Sequence, residues 1–364
     1  MKVAILGTRG IPNRYGGFER FAEELSQELN KRGYTVYVTS PATHSCKELN
    51  ANNIFTVNLR VPRFLTSNLA TLYYDYISLK WAIRNNIDAV IECGHSFAPL
   101  LLFISGSIRR KIITNPDGIE HKRKKWGWIA KCYLRFSEYL AFKLSAQLVC
   151  DNRALVQYYS TRYKRRIHYI PYGAHPLMQA PGRPDVLDKL HINEYYLLIT
   201  RITPENNVET VLSYFAHSDQ SCLVVGDLTS SYAKKIVGKY SHFRNIHLLG
   251  AIYDQQILNG LRFYCKAYIH GHSAGGTNPS LLEAMACGCF IIAHDNPFNR
   301  DILGEQGLYF NNIATLGSCI SQFEKLNDVE VNRVKVQNIQ AIERNFLWEK
   351  VALAYIDVID MLKK

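Results

Sequence analysis

Two glycine-rich loops combine bare backbone with polar or cationic side chains. The first, GTRGIPNRYGGFE at residues 7–19, carries Arg9 and Arg14 among four glycines. The second, GHSAGGTNPSLLEAM at residues 271–285, places polar residues just before a helical pattern. Glycines let backbone N–H groups approach a phosphate or a sugar closely, and a helix N-terminus favours an anion. The loops therefore predict two sites for phosphorylated or sugar ligands.

The first loop fits neither common nucleotide motif. Its glycines lack the G-x-G-x-x-G spacing of a dinucleotide site, and no G-K-[ST] of a P-loop follows. A tight turn without a ligand is the plain alternative. The two arginines beside the glycines favour a ligand.

The second loop is predicted to hold a diphosphate. Asn278, Pro279 and Ser280 precede a helix that begins near Leu281, which offers free N–H groups, a capping side chain and a positive dipole end. Glu283 lies one turn further, where a carboxylate can accept hydrogen bonds from ribose hydroxyls. The alternative for Glu283 is a first-turn acid favoured by the dipole alone.

Polar residues also follow the predicted strands. Arg201 ends the run YYLLIT, where a guanidinium can balance leaving-group charge in a transition state. Four residues in the first half come after strands and are expected at one sheet edge: His95, Asp117, Asp151 and Tyr172. The two aspartates are equally typical of turns and helix caps.

No metal site is predicted. The sequence has no D-x-D triplet, and its nine cysteines show neither C-x-x-C nor zinc-site spacing. We therefore expect cationic groups and helix dipoles to stabilise anionic charge. The first apolar segment is too short for a signal peptide and no apolar run is long enough to span a bilayer, so we expect a reduced, cytoplasmic chain.

The elements that would position these residues alternate along the chain. KVAIL, the helical pattern FERFAEELSQELNKRG and TVYVTS form a βαβ unit, which implies a parallel sheet. The apolar runs DAVIECG, RKIITNPDG, AQLVCDN and RIHYIPYG continue it. A second series begins near residue 190, with YYLLITR, SCLVVGD, NIHLLGA, AYIHGHS and CFIIAHD. The predicted fold is α/β, with two doubly wound, Rossmann-like domains facing a central cleft.

These series and the charge divide the chain. We expect domains at residues 1–172 and 191–340, a proline-containing linker at 173–190 and a closing helix at 341–364. Residues 1–172 hold 26 lysines and arginines against 12 aspartates and glutamates, whereas the remainder holds 17 against 19. A strongly basic half commonly meets nucleic acid, anionic lipid or phosphorylated substrates.

The chain resembles retaining glycosyltransferases of the GT-B fold, family 4-like, over essentially its full length. The resemblance rests on GTRGIPNRYGGFE, NPDGIEHKRKKW, DN at 151–152, PYG at 171–173, TRITPENN and GHSAGGTNPSLLEAM. It is greatest to bacterial rhamnosyltransferases that build capsule, O-antigen and rhamnan chains. It implies a nucleotide-sugar donor in the C-terminal domain, a lipid-diphosphate-linked sugar acceptor in the N-terminal domain, and a last helix that packs on the N-terminal domain.

The resemblance also implies roles for the candidate residues. Sugar transfer would retain configuration by front-face departure of the nucleotide diphosphate, whose oxygen takes the proton of the acceptor hydroxyl. The catalytic candidates are Asp117, Asp151, Tyr172 and Arg201. The donor-binding candidates are Gly16, Gly17, Arg201, Asn206, Ser273, Thr277, Asn278, Pro279, Ser280 and Glu283. The acceptor-binding candidates are Arg9, Arg14, His95 and Glu120. No metal or other cofactor is expected beside the donor, dTDP-rhamnose.

Three positions depart from the wider family pattern. Glu283 matches the second glutamate of an E-x7-E motif, but Gly275 stands at the first. Asn206 occupies the place of a lysine, and His175 stands where an acid is common. The first two departures occur in the rhamnosyltransferase-like branch. They leave contact with the donor sugar to other groups of the loop, such as Thr277.

Residues 120–144, EHKRKKWGWIAKCYLRFSEYLAFKL, combine a basic cluster with Trp126, Trp128, Ile129, Tyr133, Leu134 and Leu140. A basic amphipathic segment with tryptophans suits an anionic membrane surface, and an ordinary core helix with a solvated start is the alternative. We expect peripheral attachment at the inner face of the cell membrane.

Other functions fit parts of the pattern. A UDP-hexose or GDP-mannose donor would keep the fold and the chemistry. A 2-epimerase of UDP-sugars shares the two-domain form but needs no basic amphipathic surface. A nucleic-acid-binding protein would explain the charge but not two glycine-rich loops that lack stacking aromatics. A non-enzymatic sugar-binding module remains open if the glycine at 275 has abolished turnover.

Overall fold

The computed structural model describes residues 1–13, 16–42, 53–116, 118–123 and 126–363. Two of the candidate residues, Arg14 and Asp117, lie outside the described residues. The chain divides into two compact units, which are treated separately below. Unit 1 consists of Met1–Tyr172 with Trp348–Lys364, and unit 2 of Gly173–Leu347.

Unit 1 is built on a parallel sheet. Its described strands are β1 Lys2–Leu6, β2 Thr35–Pro41, β3 Ile54–Leu59, β4 Ala89–Cys93, β5 Ile112–Asn115, β6 Gln147–Cys150 and β7 His168–Tyr169. They lie in the order β3-β2-β1-β4-β5-β6-β7, and each described pair is parallel. The helices are α1 Gly17–Lys31, α2 Ser67–Arg84, α3 Gly106–Arg109, α4 Trp128–Leu144 and α5 Arg153–Tyr163, with 3-10 turns at Ala98–Phe103 and Glu120–Lys122. The strand order reverses between β1 and β4, so the ends of these two strands flank the expected ligand crevice.

The first βαβ unit forms as the hydrophobic pattern predicts. β1 is buried from its second residue onward, and β4 is buried throughout, as expected for a sheet covered on both faces. α1 turns a stripe that includes Phe21, Leu25 and Leu29 into the core. The chain leaves α1 through Gly33, whose φ of +82° favours glycine.

Unit 2 repeats this plan. Its described strands are β8 Tyr196–Ile199, β9 Cys222–Val225, β10 Ile246–Leu248, β11 Ala267–His270, β12 Ile291–His294 and β13 Leu308–Phe310. They lie in the order β10-β9-β8-β11-β12-β13 and are parallel. The helices are α6 Asp185–Lys189, α7 Val208–Phe215, α8 Ser231–Tyr240, α9 Gln255–Tyr264, α10 Pro279–Ala286, α11 Pro297–Leu303, α12 Ile313–Phe323 and α13 Asp328–Asn345, with 3-10 turns at Pro204–Asn206 and Gly304–Gln306. The strand order reverses between β8 and β11. The predicted α/β class, with two Rossmann-like sheets, is confirmed.

The last helix, α14 Trp348–Asp360, is followed by a 3-10 turn at Met361–Lys363 and belongs to unit 1. The ring of Tyr355 lies 5.3 Å from that of Phe21 in α1, and its hydroxyl accepts a hydrogen bond of 3.0 Å from Asn115 Nδ2. Residues 341–345, expected in this helix, belong to α13 instead. Within the described residues, no helix is both long and apolar enough to cross a membrane.

Four elements differ from the sequence prediction. β3 at the sheet edge and the three-residue β13 were not predicted, because short runs carry little periodicity. The run RIHYIPYG contributes only His168–Tyr169 to the sheet, since Pro171 cannot donate to a ladder. The stretch 173–190, expected as a linker, lies in unit 2 and contains α6.

Candidate active site

The N-terminus of α10 in unit 2 carries the predicted diphosphate loop. Asn278 is its N-cap, and the Asn278 side chain accepts a hydrogen bond of 2.9 Å from the Ser280 amide. The Leu281 amide bonds the Asn278 carbonyl at 3.0 Å, and Pro279 has no N–H. The first turn therefore offers the positive end of a helix dipole rather than the row of free N–H groups that the sequence suggests.

The start of α10 is tied to the end of β8, just before Arg201. The Ser280 and Tyr268 hydroxyls lie 2.6 Å apart, and Tyr268 Oη donates to the Ile199 carbonyl at 3.1 Å. The Arg201 side chain is exposed. A cation and a helix N-terminus are thus brought to the same edge of this sheet, an arrangement that suits a bound diphosphate.

Two further donor-binding candidates use their polar atoms to hold the loops together. Asn206 is buried, and its Nδ2 donates to the Arg201 carbonyl at 2.8 Å. The Ser273 amide and hydroxyl both donate to the Glu205 carbonyl, at 3.1 and 2.7 Å. A Cβ on Gly271 would lie 2.2 Å from the Asn206 carbonyl oxygen, so the loops cross too closely for any other residue there. These contacts hold the loop that follows β8 against the loop that follows β11.

Glu283 is held by an arginine that sequence analysis missed. Arg262 of α9 is 1% exposed, and its Nη2 donates to Glu283 Oε2. Arg262 Nη1 also reaches Asn259 Oδ1 at 3.4 Å. The periodicity of α9 could have indicated this arginine, because Arg262 follows the buried Leu258 at helical spacing and so falls on the buried face. A cation on an apolar face requires a buried partner.

A pair of stacked histidines lies at the end of β11. The rings of His270 and His272 are 4.5 Å apart and inclined by 17°. Burial, together with the nearby charge of His294, lowers the pKa of His270 to about 3. His270 is therefore a neutral packing group at physiological pH. The carbonyl of His272 accepts hydrogen bonds of 3.0 Å from Asn296 and Asn299, which fixes this loop.

Thr277 and Gly275 complete the donor loop. Thr277 is buried, and Gly275 has a φ of +116°. Such a backbone conformation favours glycine and disfavours a glutamate at this position.

In unit 1, the first glycine-rich loop begins at the carboxyl end of β1 and lies next to the carboxyl end of β4. Gly7 has a φ of +76°, and a Cβ there would lie 2.2 Å from the Cys93 carbonyl oxygen. Gly16 is the N-cap of α1, and Gly17 is its first residue. Glu19 fastens the loop to this helix, because its Oε1 accepts a hydrogen bond of 2.8 Å from the Arg9 amide.

The polar residues predicted at this sheet edge are all buried where they are described. His95 follows β4 and is 2% exposed, and Asp151 follows β6 directly and is 7% exposed. Tyr172 packs edge-on against Phe21, with ring centroids 5.7 Å apart. The neighbour of Asp151, Asn152, caps α5 by accepting a hydrogen bond of 3.0 Å from the Ala154 amide.

Glu120, an acceptor-binding candidate, already has partners within unit 1. Its Oε1 lies 2.6 Å from Arg123 Nε, and its Oε2 accepts a hydrogen bond of 3.2 Å from Trp126 Nε1. These two contacts connect Glu120 to Arg123 and Trp126. An acceptor contact by Glu120 stays a prediction.

Two buried carboxyl groups lie beneath the first loop and were not foreseen. Asp75 of α2 and Glu92 of β4 are buried, and desolvation raises the pKa of both. The pKa of Asp75 rises to about 7, although the Ser96 hydroxyl donates to it at 2.6 Å. The neighbouring Tyr74 hydroxyl donates to the Thr8 carbonyl at 2.8 Å. The first loop therefore lies over a buried polar cluster in which burial raises the pKa of both carboxyl groups.

Among the described residues, no group of three or more histidine, cysteine, aspartate or glutamate side chains is arranged to hold a metal ion. The expectation of metal-free chemistry stays a prediction.

Comparisons with known proteins divide the chain in the same way. Residues 1–175 match the model of a domain of unknown function, DUF1972, and residues 186–331 match the model of glycosyl transferases group 1. Among curated proteins, none matches the chain.

Several solved structures share the fold over nearly all of the chain. Sucrose-phosphate synthase from Thermosynechococcus elongatus is 16% identical, with a TM-score of 0.82, and the match covers 99% of this chain and 98% of that one. HepE of Anabaena in complex with UDP-glucose is 15% identical, with a TM-score of 0.79, over 99% and 100%. A glycosyltransferase from Rickettsia africae is 17% identical, with a TM-score of 0.71, over 100% and 98%.

The group 1 model covers part of unit 2, and the solved structures share the fold of the whole chain. Residues 186–331 thus form a domain of the glycosyl transferases group 1 family, and the chain has the two-domain GT-B fold.

Proposed function

We propose that the protein transfers a sugar, L-rhamnose from dTDP-rhamnose, with retention of configuration, onto a lipid-diphosphate-linked sugar such as GlcNAc. The reaction would serve bacterial surface polysaccharide synthesis and need no metal. The single observation that carries this proposal is the junction in unit 2 of Arg201 with the Asn278-capped start of α10, through Tyr268 and Ser280.

That junction suits the departure of a nucleotide diphosphate. Negative charge grows on the diphosphate as the sugar bond breaks, and an exposed guanidinium beside a helix N-terminus stabilises it. Glu283, oriented by Arg262, is the proposed acceptor of hydrogen bonds from the nucleotide ribose. Both groups act on the leaving nucleotide, so the proposal requires no protein nucleophile.

The choice of rhamnose depends on the departures at Gly275 and Asn206, which resemble the rhamnosyltransferase branch. The backbone at Gly275 and the buried amide of Asn206 support a donor pocket without the usual glutamate and lysine side chains. A UDP-hexose is the second candidate donor. It is favoured by the solved structure of HepE, which holds UDP-glucose.

The acceptor is assigned to unit 1 because of its charge and its exposed aromatic face. α4 exposes Trp128 and Ile129, at 75% and 67%, and also Phe136 and Tyr139. We call these four residues the α4 face. Exposed aromatic side chains on a strongly basic unit favour an anionic lipid surface. Two other residues expected on this face, Leu134 and Leu140, are buried instead.

The α4 face provides a test of membrane attachment. Trp128→Ala with Ile129→Ala is expected to weaken flotation with phosphatidylglycerol-containing vesicles by about tenfold, since two inserted side chains are lost. Tyr253→Ala with Ile257→Ala, which removes exposed side chains of unit 2, is the matched control. Equal flotation of both variants would reject the α4 face as the attachment surface.

The transferase reaction is tested by nucleoside diphosphate release from a panel of sugar donors. The assay contains a synthetic GlcNAc-diphosphate-lipid acceptor, with and without EDTA. Release from dTDP-rhamnose that is insensitive to EDTA supports the whole proposal. Release from a UDP-sugar instead supports the second donor, and no release with any donor contradicts both.

Two substitutions test the proposed roles. Arg201→Gln is expected to slow transfer by about 100-fold because it removes a cation from the leaving group, whereas the exposed Arg244→Gln is a control without effect. Asp151→Asn is expected to retain donor binding and to lower turnover by about 100-fold. Unchanged turnover in Asp151→Asn would remove Asp151 from the site.

A further inference from the structure

Unit 1 has a cleft lined by four cations at the edge of the sheet where β5 and β6 begin. The cleft is wide open to solvent and has a volume of about 340 Å³, and its cationic lining consists of Arg109, Arg110, Lys143 and Arg165. We call it the cationic cleft. It lies at the opposite strand ends from His95 and Asp151, so the proposed transfer site does not account for it.

Two of these cations converge without a counter-ion. A Cβ built on Gly106 would lie 3.9 Å from Arg109 Nη2 and 3.8 Å from Arg110 Nη1. The two guanidinium groups therefore lie on the same side of Gly106. In the described part of the chain neither arginine has an ion-pair partner, and no acid lines the cleft. Among the described residues, the hydrogen bond of Lys143 Nζ goes to the Tyr139 hydroxyl, at 3.2 Å. Like charges gathered without a carboxylate create a positive potential that attracts an anion.

The fourth cation is anchored so that the cleft stays positive. Arg165 Nη1 donates to the carbonyls of Phe142 and Ser145, at 2.8 and 2.9 Å, and its Nη2 donates to that of Ala146 at 3.1 Å. These carbonyls lie at the C-terminal end of α4, where a helix dipole is negative. Because Arg165 neutralises that end, the carbonyls do not repel an anion in the cleft.

We propose that the cationic cleft binds a phosphate group, carried either by a membrane lipid or by a soluble metabolite. Arginine forks match phosphate oxygens in pairs, and Lys143 adds a point charge. Only the lipid source rests on the proposed membrane attachment, because the α4 face is on the helix whose last turn carries Lys143. Neither source depends on the transferase reaction, so a failure of the donor panel leaves this proposal intact.

The local test uses backbone amide signals of the cleft. Inorganic phosphate is titrated at constant ionic strength while the amide shifts of Ser145 and Ala146 are followed by NMR. Saturable shifts are expected in the wild type and in the control Lys234→Gln with Lys235→Gln, which removes two exposed charges from unit 2. In Arg109→Gln with Arg110→Gln, the apparent affinity should fall by about tenfold or more.

Vesicle flotation distinguishes the two sources. Vesicles of phosphatidylcholine are compared with vesicles that also contain phosphatidylglycerol. A loss of phosphatidylglycerol-dependent binding in the double arginine variant, but not in the control, identifies a lipid phosphate. Equal vesicle binding with lost phosphate shifts identifies a soluble phosphate. The proposal is overturned if the double arginine variant matches the wild type in both assays, or if the wild type responds in neither.

Discussion

Arg262→Met removes the cation that holds Glu283 while keeping a long apolar side chain in the same space. Arg262 is 1% exposed, and the Glu283 side chain is 19% exposed. The substitution therefore leaves a largely buried carboxylate without its partner. Both residues belong to unit 2, so the effect should be seen in the unfolding of that unit.

The expected loss of stability follows from this burial. Removal of one partner from a buried ion pair costs about 3–5 kcal/mol, and the partial exposure of Glu283 favours the lower end. For a unit of this size, a loss of about 3 kcal/mol corresponds to a fall in Tm of about 6–12 °C. Lys239→Met is the control. The pair that Lys239 forms with Glu209 is exposed, and its loss should cost at most about 1 kcal/mol.

A second substitution separates stability from function. Adding Glu283→Gln to Arg262→Met removes the unpaired charge, so most of the lost stability should return. Donor binding should not return, because the carboxylate that we propose for the ribose is absent. In Arg262→Met alone, nucleoside diphosphate affinity should fall by about tenfold, since Glu283 is no longer oriented.

The assay is denaturant unfolding of each variant together with calorimetric titration of dTDP and UDP at a temperature where all are folded. Arg262→Met with normal affinity for both nucleotides would refute a positioning role for Arg262. A double variant no more stable than Arg262→Met would refute the assignment of the lost stability to an unpaired carboxylate.

Two other substitutions test unit 1. Gly7→Ala should lower the free energy of unfolding by about 3 kcal/mol or more, because its Cβ would overlap the Cys93 carbonyl. The control Gly33→Ala is also at positive φ but has open space around it, so it should cost only about 1–2 kcal/mol. Equal losses of the two variants in urea unfolding would contradict the close contact at Gly7. Burial raises the pKa of Asp75 from 3.8 to about 7, so the folded protein holds a proton that the unfolded chain releases, and the free energy of unfolding should fall as pH rises through this window. Asp75→Asn should reduce that fall and stabilise the protein at pH above about 7; an unchanged pH profile would show that Asp75 does not carry the proton.

The periodic features of the sequence predicted most of the sheet, whereas pairings across the fold remained hidden. Runs such as KVAIL became buried parallel strands because apolar residues without alternation require cover on both faces. The sequence could not predict that Arg262 is the partner of Glu283, because the packing of α9 against α10 brings the two side chains together. Asn206 and Ser273 were expected to bind the donor, and that role stays a prediction. Their internal hydrogen bonds depend on how closely two loops cross, which only the fold determines.

The placement of α14 has a consequence for the order in which the chain can fold during synthesis. Unit 1 includes residues near both ends of the chain, and unit 2 is inserted between them. The aromatic contact of Phe21 with Tyr355 closes only after the ribosome has made the whole of unit 2. N-terminal segments ordinarily fold first as they emerge from the ribosome. Here residues 1–172 emerge first, but part of their core stays uncovered until α14 has been synthesised. We expect unit 2 to reach its native state first, and a chaperone that shields apolar surface to engage the nascent N-terminal half.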